Sequence, residues 1–333
     1  MKTSIHKYAS ALEIKSNILD NIGKTPLISL GRLFKDLPFS VFGKLESENP
    51  GGSIKDRTAL NMLTKALDTG LVKPGDTIIE SSSGNMAIGL AQICKFYNLH
   101  LITVVDPHIN SHTEKLLHVY GAKLIKVTTT KDNESFLESR LRKVEELLEE
   151  IPNSYWPNQY ENQANPQTHF QTMGEIAEVL NEKVDYLFVA TSTCGTLMGC
   201  AEYIKAHNLP TKLIAVDAVG SVIFGDEKRE RLIPGHGSGR KSNFLKKEFI
   251  YDVIHINDEN CIRGCWQLLQ NESILCGGSS GAVISAIEFY QDKIEKKANC
   301  VAILCDRGDR YLDTVYNKKW IAENFSNLDV KSL

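Results

Sequence analysis

Six short apolar runs, rich in β-branched residues, recur along the chain: Thr77 to Glu80, His100 to Val105, Ala122 to Val127, Asp185 to Ala190, Lys212 to Asp217 and Cys300 to Leu304. None alternates strictly between polar and apolar positions, the pattern of strands covered on both faces, as in parallel sheets. Helical periodicity fills the intervals. The clearest case is Phe136 to Ile151, where Leu137, Leu141, Val144, Leu148 and Ile151 fall on one stripe. Shorter helical patterns run from Thr58 to Ala66, Met86 to Cys94 and Ala282 to Ile287. Strand–helix alternation of this kind predicts an α/β fold with parallel sheets. A turn-rich segment from Pro152 to Gln167 interrupts it and marks a boundary between two lobes.

Length agrees with two lobes, since 333 residues bury a large core. A formal charge of −3 with both signs interspersed leaves no basic stripe, so nucleic acid is not an expected partner. No apolar run is long enough to cross a bilayer, and Met1 to Leu12 lacks the apolar centre of a signal peptide. A cytoplasmic protein, with no membrane partner, is the expectation. The eight cysteines are scattered, with Cys94, Cys200, Cys276 and Cys300 inside apolar runs, as reduced core cysteines are. Cys261 and Cys265 could share a helix face, but without nearby histidines they read as core packing, and no metal site is expected.

The chemistry sits in loops. Lys55 lies in Asn49-Pro-Gly-Gly-Ser-Ile-Lys-Asp-Arg57, where a flexible turn delivers a lysine to the mouth of an apolar helix. A lysine held there and partly desolvated loses its proton near neutral pH and can attack an aldehyde. Three further loops have small or hydroxyl residues before a helical run. Ser81 to Asn85 suits a carboxylate, Ser192 to Thr196 suits a phosphate, and Gly277 to Gly281 presents Ser279. Taken singly, each loop equally describes an ordinary capped helix start.

Together with Asn21-Ile-Gly-Lys-Thr-Pro-Leu27, these four motifs resemble the fold-type II pyridoxal-phosphate (PLP) enzymes, in the branch of cysteine synthase and cystathionine β-synthase. The resemblance spans Asn21 to about Tyr316. It implies a tryptophan synthase β-like, two-lobed α/β fold, each lobe a mostly parallel sheet covered by helices. A smaller, mobile lobe that binds the substrate carboxylate would take residues 46–158 with part of the N-terminus. A larger lobe that binds the PLP phosphate would take residues 20–45 and 159–325. It implies pyridoxal 5'-phosphate on Lys55, the catalytic residue, with Asn85 on the ring hydroxyl. Ser192, Thr193, Cys194, Gly195 and Thr196 would hold the phosphate, and Ser279 the pyridine nitrogen. Ser82, Ser83, Gly84 and Met86 would receive the substrate carboxylate, with Gln159 and Tyr160 close to the substrate. A homodimer is also implied. Two departures stand out: Cys194 replaces the family's glycine, and Met86 replaces a threonine of the cysteine synthases.

A hydroxyl cannot keep a pyridine nitrogen protonated as a carboxylate does, so Ser279 favours loss of a β-substituent over transamination or racemisation. Lys55 would take the α-proton, a β-group would leave to give an aminoacrylate, and a second nucleophile would add. The stretches 155–160, 216–226, 234–240 and 306–312 narrow the resemblance to the N-(2-amino-2-carboxyethyl)-L-glutamate synthases of siderophore (2,3-diaminopropionate) biosynthesis. Those enzymes join O-phospho-L-serine and L-glutamate; the alternative is cysteine synthesis from O-acetylserine or O-phosphoserine and sulfide, or the work of a related β-substituted alanine synthase. A leaving phosphate needs a cation, for which Arg140, on the helix preceding Tyr160, is the candidate. His236 replaces an expected aliphatic residue; it either alters the second-substrate pocket or is a loop histidine without a role. Arg307 and Arg310 read as structural partners of Asp306 and Asp309.

Overall fold

A computed structural model describes residues 14–130 and 135–333; the leaderless reading of Met1 to Leu12 falls outside them. Among the described residues ten strands form two sheets. β1 (Leu27–Ser29), β2 (Ser40–Leu45), β7 (Tyr186–Ala190), β8 (Lys212–Ala218), β9 (Asp252–Ile256) and β10 (Asn299–Leu304) make a six-stranded sheet in the order β1-β2-β10-β7-β8-β9. Only the β1–β2 pairing in it is antiparallel. β3 (Thr77–Ser81), β4 (His100–Val105), β5 (Lys123–Lys126) and β6 (Ser154–Tyr155) make a parallel four-stranded sheet ordered β5-β4-β3-β6.

Side-chain alternation feeds a separate core on each face. In the larger sheet Tyr186 and Phe188 join the cluster under α7 (Asp258–Glu272) and α8 (Gly278–Tyr290). Leu187 and Val189, pointing the other way, pack with α5 (Ala164–Val179) and α6 (Gly195–Ala206). In the smaller sheet Ile78 and Leu101 meet α1 (Lys55–Asp68), α2 (Asn85–Phe96) and α3 (Ser111–Tyr120). Ile79, Ile102 and Val104 meet α4 (Phe136–Glu150) on the opposite face. A ninth helix, α9 (Lys318–Asn324), closes the chain against the larger sheet's core. Among the described residues no helix is long and apolar enough to cross a membrane.

All six predicted strands are present and parallel. Four strands escaped the sequence pattern. β2 carries Gly43 and Lys44 inside its apolar run, and Lys44 is buried because Glu175 meets its ammonium at 2.7 Å. β9 is a half-buried edge strand, and β1 and β6 are three and two residues long. The stripe expected on α4 is displaced: Ser139, Val144 and Leu147 are its buried residues, while Leu137 and Leu141 are half-buried. The expected turn segment 152–167 is also shortened, because α5 begins at Ala164.

A buried ion cluster pins α1. Arg57 meets Glu46 through Nε at 2.7 Å and Glu175 through Nη1 at 2.7 Å. The Thr25 hydroxyl donates to Glu46 at 2.7 Å, and Lys44 donates to the Thr25 carbonyl at 2.6 Å. Two cations thus face two carboxylates, with strand, turn and two helices tied at one point. Removing one member strands an uncompensated buried charge. Arg57→Met is expected to lower stability by about 3–5 kcal/mol, read by urea denaturation; an unchanged midpoint would contradict the assignment.

Candidate active site

Lys55 is the first residue of α1, and the turn before it is shaped by its own backbone. Gly52 has φ +84°, a left-handed conformation, and its N–H donates to Asn49 O at 2.8 Å. Ile54 N–H donates to Cys305 O at 2.8 Å, which seats the turn on the end of β10. Burial lowers the Lys55 pKa; Asp306 is the charged neighbour that opposes the shift. The thiols of Cys305 and Cys194 are pushed up to about 12 by burial and stay neutral beside the amine. The adjoining Asp56 carboxyl is raised to about 7 by its own burial, although Gly51 N–H donates to it at 2.5 Å.

The amine opens onto a cavity of about 280 Å³. Every residue singled out above for cofactor or substrate lines it: Lys55, Ser82, Ser83, Gly84, Asn85, Met86, Arg140, Gln159, Tyr160, Ser192, Thr193, Cys194, Gly195, Thr196 and Ser279. Their convergence follows from topology. β3 and β7 each end in one of these loops, and α2, α6 and α8 each begin there. Strand ends and helix starts therefore face one space.

The 192–196 loop fits a phosphate. α6 starts at Gly195, so the N–H groups of its first turn lack helical acceptors and the positive end of its dipole faces the cavity. A Cβ at Gly195 would come within 2.0 Å of Asn165 Oδ1, so the backbone here is packed too closely for a side chain. Asn165 Nδ2 in turn donates to Gln159 O at 2.7 Å and to Thr193 Oγ1 at 3.3 Å. Cys194 has φ +66°, which explains the family preference for glycine, and its side chain is buried at the cavity wall. Thr196 Oγ1 lies 3.3 Å from Nε2 of the buried His169, whose pKa is held well below the usual histidine range by burial first, with the Arg57 charge adding to it.

Ser82 Oγ accepts from Ala87 N–H at 3.2 Å and caps the start of α2. Ser83 Oγ faces Arg140 Nη1 at 3.3 Å, and the same Nη1 lies 3.3 Å from Asp106 Oδ2. Arg140 Nε is buried with no partner. The guanidinium is thus held loosely, with hydrogen-bonding capacity to spare. Tyr160 lies under the Arg240 guanidinium, 4.9 Å from its ring centre. Glu80, raised to about 7 by burial, accepts from Trp156 Nε1 at 3.1 Å and from Gln159 N–H at 3.4 Å, joining β3 to the Gln159 loop.

Sequence reasoning missed the other side of the cavity, which His108, Asn110, Thr113, Cys305, Arg310 and Tyr311 complete. Arg310 is not the partner of Asp309 expected from the sequence. It donates to Asn85 Oδ1 and to Gly51 O, while Arg307 Nε donates to Ser47 O at 3.0 Å. Adjacency suggested the local pairing, and only the fold brings residues over 200 positions apart together. His236 is a buried histidine that does not itself line the cavity, although Pro234 and Gly235 before it do: Nε2 lies 3.2 Å from Val216 O, and burial lowers its pKa to about 4. Cys261 and Cys265 are buried in α7, and among the described residues no group of three or more His, Cys, Asp or Glu is placed to hold a metal ion.

Comparison with known proteins agrees with this geometry. The chain is 43% identical over 310 residues to the N-(2-amino-2-carboxyethyl)-L-glutamate synthase of Ralstonia nicotianae, covering 93% of this chain and 92% of that one. Cysteine synthase from Entamoeba histolytica superposes with a TM-score of 0.87 at 31% identity, over 94% of each chain. The O-acetylserine dependent cystathionine β-synthase of Helicobacter pylori gives a TM-score of 0.85 at 29% identity, over 92% of this chain and 100% of that one. The fold is accordingly that of the fold-type II PLP enzymes. The family model described as pyridoxal-phosphate dependent enzyme matches residues 18–306. With an amine, a phosphate-sized loop and a hydroxyl set around one cavity, the chain belongs to the pyridoxal-phosphate dependent enzymes.

Proposed function

We propose that the protein joins O-phospho-L-serine and L-glutamate, giving N-(2-amino-2-carboxyethyl)-L-glutamate and phosphate by β-replacement. The product would serve as a precursor of 2,3-diaminopropionate for siderophore-type biosynthesis. The observation that carries the choice of donor is Arg140, a cation in the cavity wall against the Ser82–Asn85 loop. The relative from Ralstonia nicotianae, whose name contains L-glutamate, supports the choice of acceptor.

Pyridoxal phosphate supplies the aldehyde that binds the substrate amine and the conjugated ring that accepts electrons from Cα. Lys55, its pKa lowered by burial, is the base for the α-proton and the acid that returns it. Ser83 and the N–H groups opening α2 receive the α-carboxylate, where the helix dipole favours negative charge. Arg140 has one contact shared between Asp106 and Ser83 and an unpartnered Nε, so it can turn its remaining donors to the departing phosphate. Met86 adds an apolar wall, buried to 3% exposure, in place of a hydroxyl.

We take residues 46–158 as a smaller lobe that closes over bound substrate, against a larger lobe of 20–45 and 159–325. The protein would act as a homodimer, as the family resemblance implies, and in the cytoplasm, a reducing compartment that suits its eight free cysteines, seven of them buried.

Two outcomes follow. Mass spectrometry after mixing enzyme, O-phosphoserine and a panel of amino acids should show phosphate release and the glutamate adduct. Cysteine formed from sulfide, with no amine adduct, would instead favour the cysteine synthase reading. Arg140→Ala should lower kcat/KM for O-phosphoserine by roughly 10- to 100-fold, the worth of a charged hydrogen bond. It should change O-acetylserine turnover little. Equal losses for both donors would remove Arg140 from the phosphate.

A further inference from the structure

Asn85 is held at both ends of its amide. Nδ2 donates to Asp306 Oδ2 at 2.7 Å, and Oδ1 accepts from Arg310 Nη1. A guanidinium only donates, so Arg310 fixes Oδ1 towards itself and leaves Nδ2 for Asp306, whose carboxyl pKa is raised by burial above the usual carboxylate range; the amide has one permitted orientation. Both clamping groups are nearly inaccessible, Asp306 at 2% and Arg310 at 6% exposure. Each is fixed in turn. Tyr311 OH donates to Asp306 Oδ2 at 2.6 Å, Arg310 also donates to Gly51 O, and Asn110 Nδ2 donates to Arg310 O at 2.8 Å.

The clamp leaves Asn85 a single N–H without a protein partner, on a side chain that lines the cavity beside Lys55. We propose that Asp306 and Arg310 are positioning residues that force Asn85 to present only a hydrogen-bond donor to the cofactor's ring oxygen. Resting on the PLP reading of this cavity, the inference gives Asp306 and Arg310 a function exerted through the Asn85 amide they hold. A donor-only Asn85 selects the ring oxygen as an acceptor, in its deprotonated phenolate form. An unclamped asparagine could turn its amide and accept from a neutral hydroxyl instead. The clamp also joins three segments distant in sequence: the turn before Lys55, the start of α2 and the 305–311 turn. Cofactor geometry and loop geometry are thereby set together.

The test reads cofactor binding to apoenzyme by fluorescence titration and the visible spectrum of the reloaded enzyme. Asp306→Ala and Arg310→Met should each weaken cofactor binding roughly tenfold, about one hydrogen bond's worth. Each should also shift the visible band towards the near-ultraviolet form. Asp306→Asn, which keeps an acceptor oxygen, should restore both. In an Asn85→Ala background, Asp306→Ala should add no further loss. Arg310→Met leaves the buried carboxylate in place and keeps the test open if Asp306→Ala does not fold. Wild-type spectra and affinities in Asp306→Ala and Arg310→Met, with a loss in Asn85→Ala, would overturn the clamp and leave the PLP reading intact. An effect of Asp306→Asn as large as that of Asp306→Ala would overturn it too, since charge rather than hydrogen bonding would then be the cause. An Asn85→Ala variant identical to wild type would remove Asn85 from the ring, and the clamp's role with it.

Discussion

Placing a lysine amine at the first residue of a helix works against its charge in two ways. Water is largely excluded there, and the helix dipole presents its positive end. Both effects favour the neutral amine, the form that attacks an aldehyde and accepts a proton. The arrangement survives because the helix is held elsewhere. Two residues on, Arg57 enters a balanced cluster with Glu46, Glu175 and Lys44, so the start of α1 cannot drift towards solvent. On the other side Gly52 turns the chain in a conformation that side-chain-bearing residues rarely adopt, and Ile54 is bonded to Cys305. Reactivity at Lys55 is in this sense a property of the packing around it.

The rest of the cavity extends the same electrostatic theme. α1, α2, α6 and α8 all open at it, with Lys55, Asn85, Gly195 and Ser279 on their first turns. Their N-termini make a space that favours anions, and the cofactor phosphate and a substrate carboxylate are anions, as would be the phosphate proposed to depart. Arg140 and Arg310 add full charges at different points of the wall. Asp106 partly matches the first, whereas Arg310 donates its hydrogen bonds to the neutral acceptors Asn85 and Gly51. Parallel strands make this convergence a matter of topology, since the loops after their C-terminal ends lie on the same side of each sheet.

Most of this was legible before folding because it is local. Six strands buried on both faces announce themselves as apolar runs, and the loops that follow carry small and hydroxyl residues in sequence. What escaped was non-local. Lys44 breaks the apolar run of β2, and only the position of Glu175, 131 residues away, explains its burial. Arg310 reads as a partner for adjacent acids until the fold sets Asn85 against it, 225 residues distant. The glycine-to-cysteine departure at 194 was visible, but its physical content, a left-handed backbone position, was not. His236 read from the sequence as a loop histidine or a pocket residue, and the fold instead buries it against Val216 and Cys261, just behind the cavity-lining Gly235.

The central claim is that Lys55 alone carries the cofactor as an imine, and it can be tested at the level of one peptide. Holoenzyme reduced with borohydride, digested and sequenced by mass spectrometry should carry the pyridoxyl mass on Lys55. Label on another lysine, or on none while the enzyme still turns over, would contradict the account.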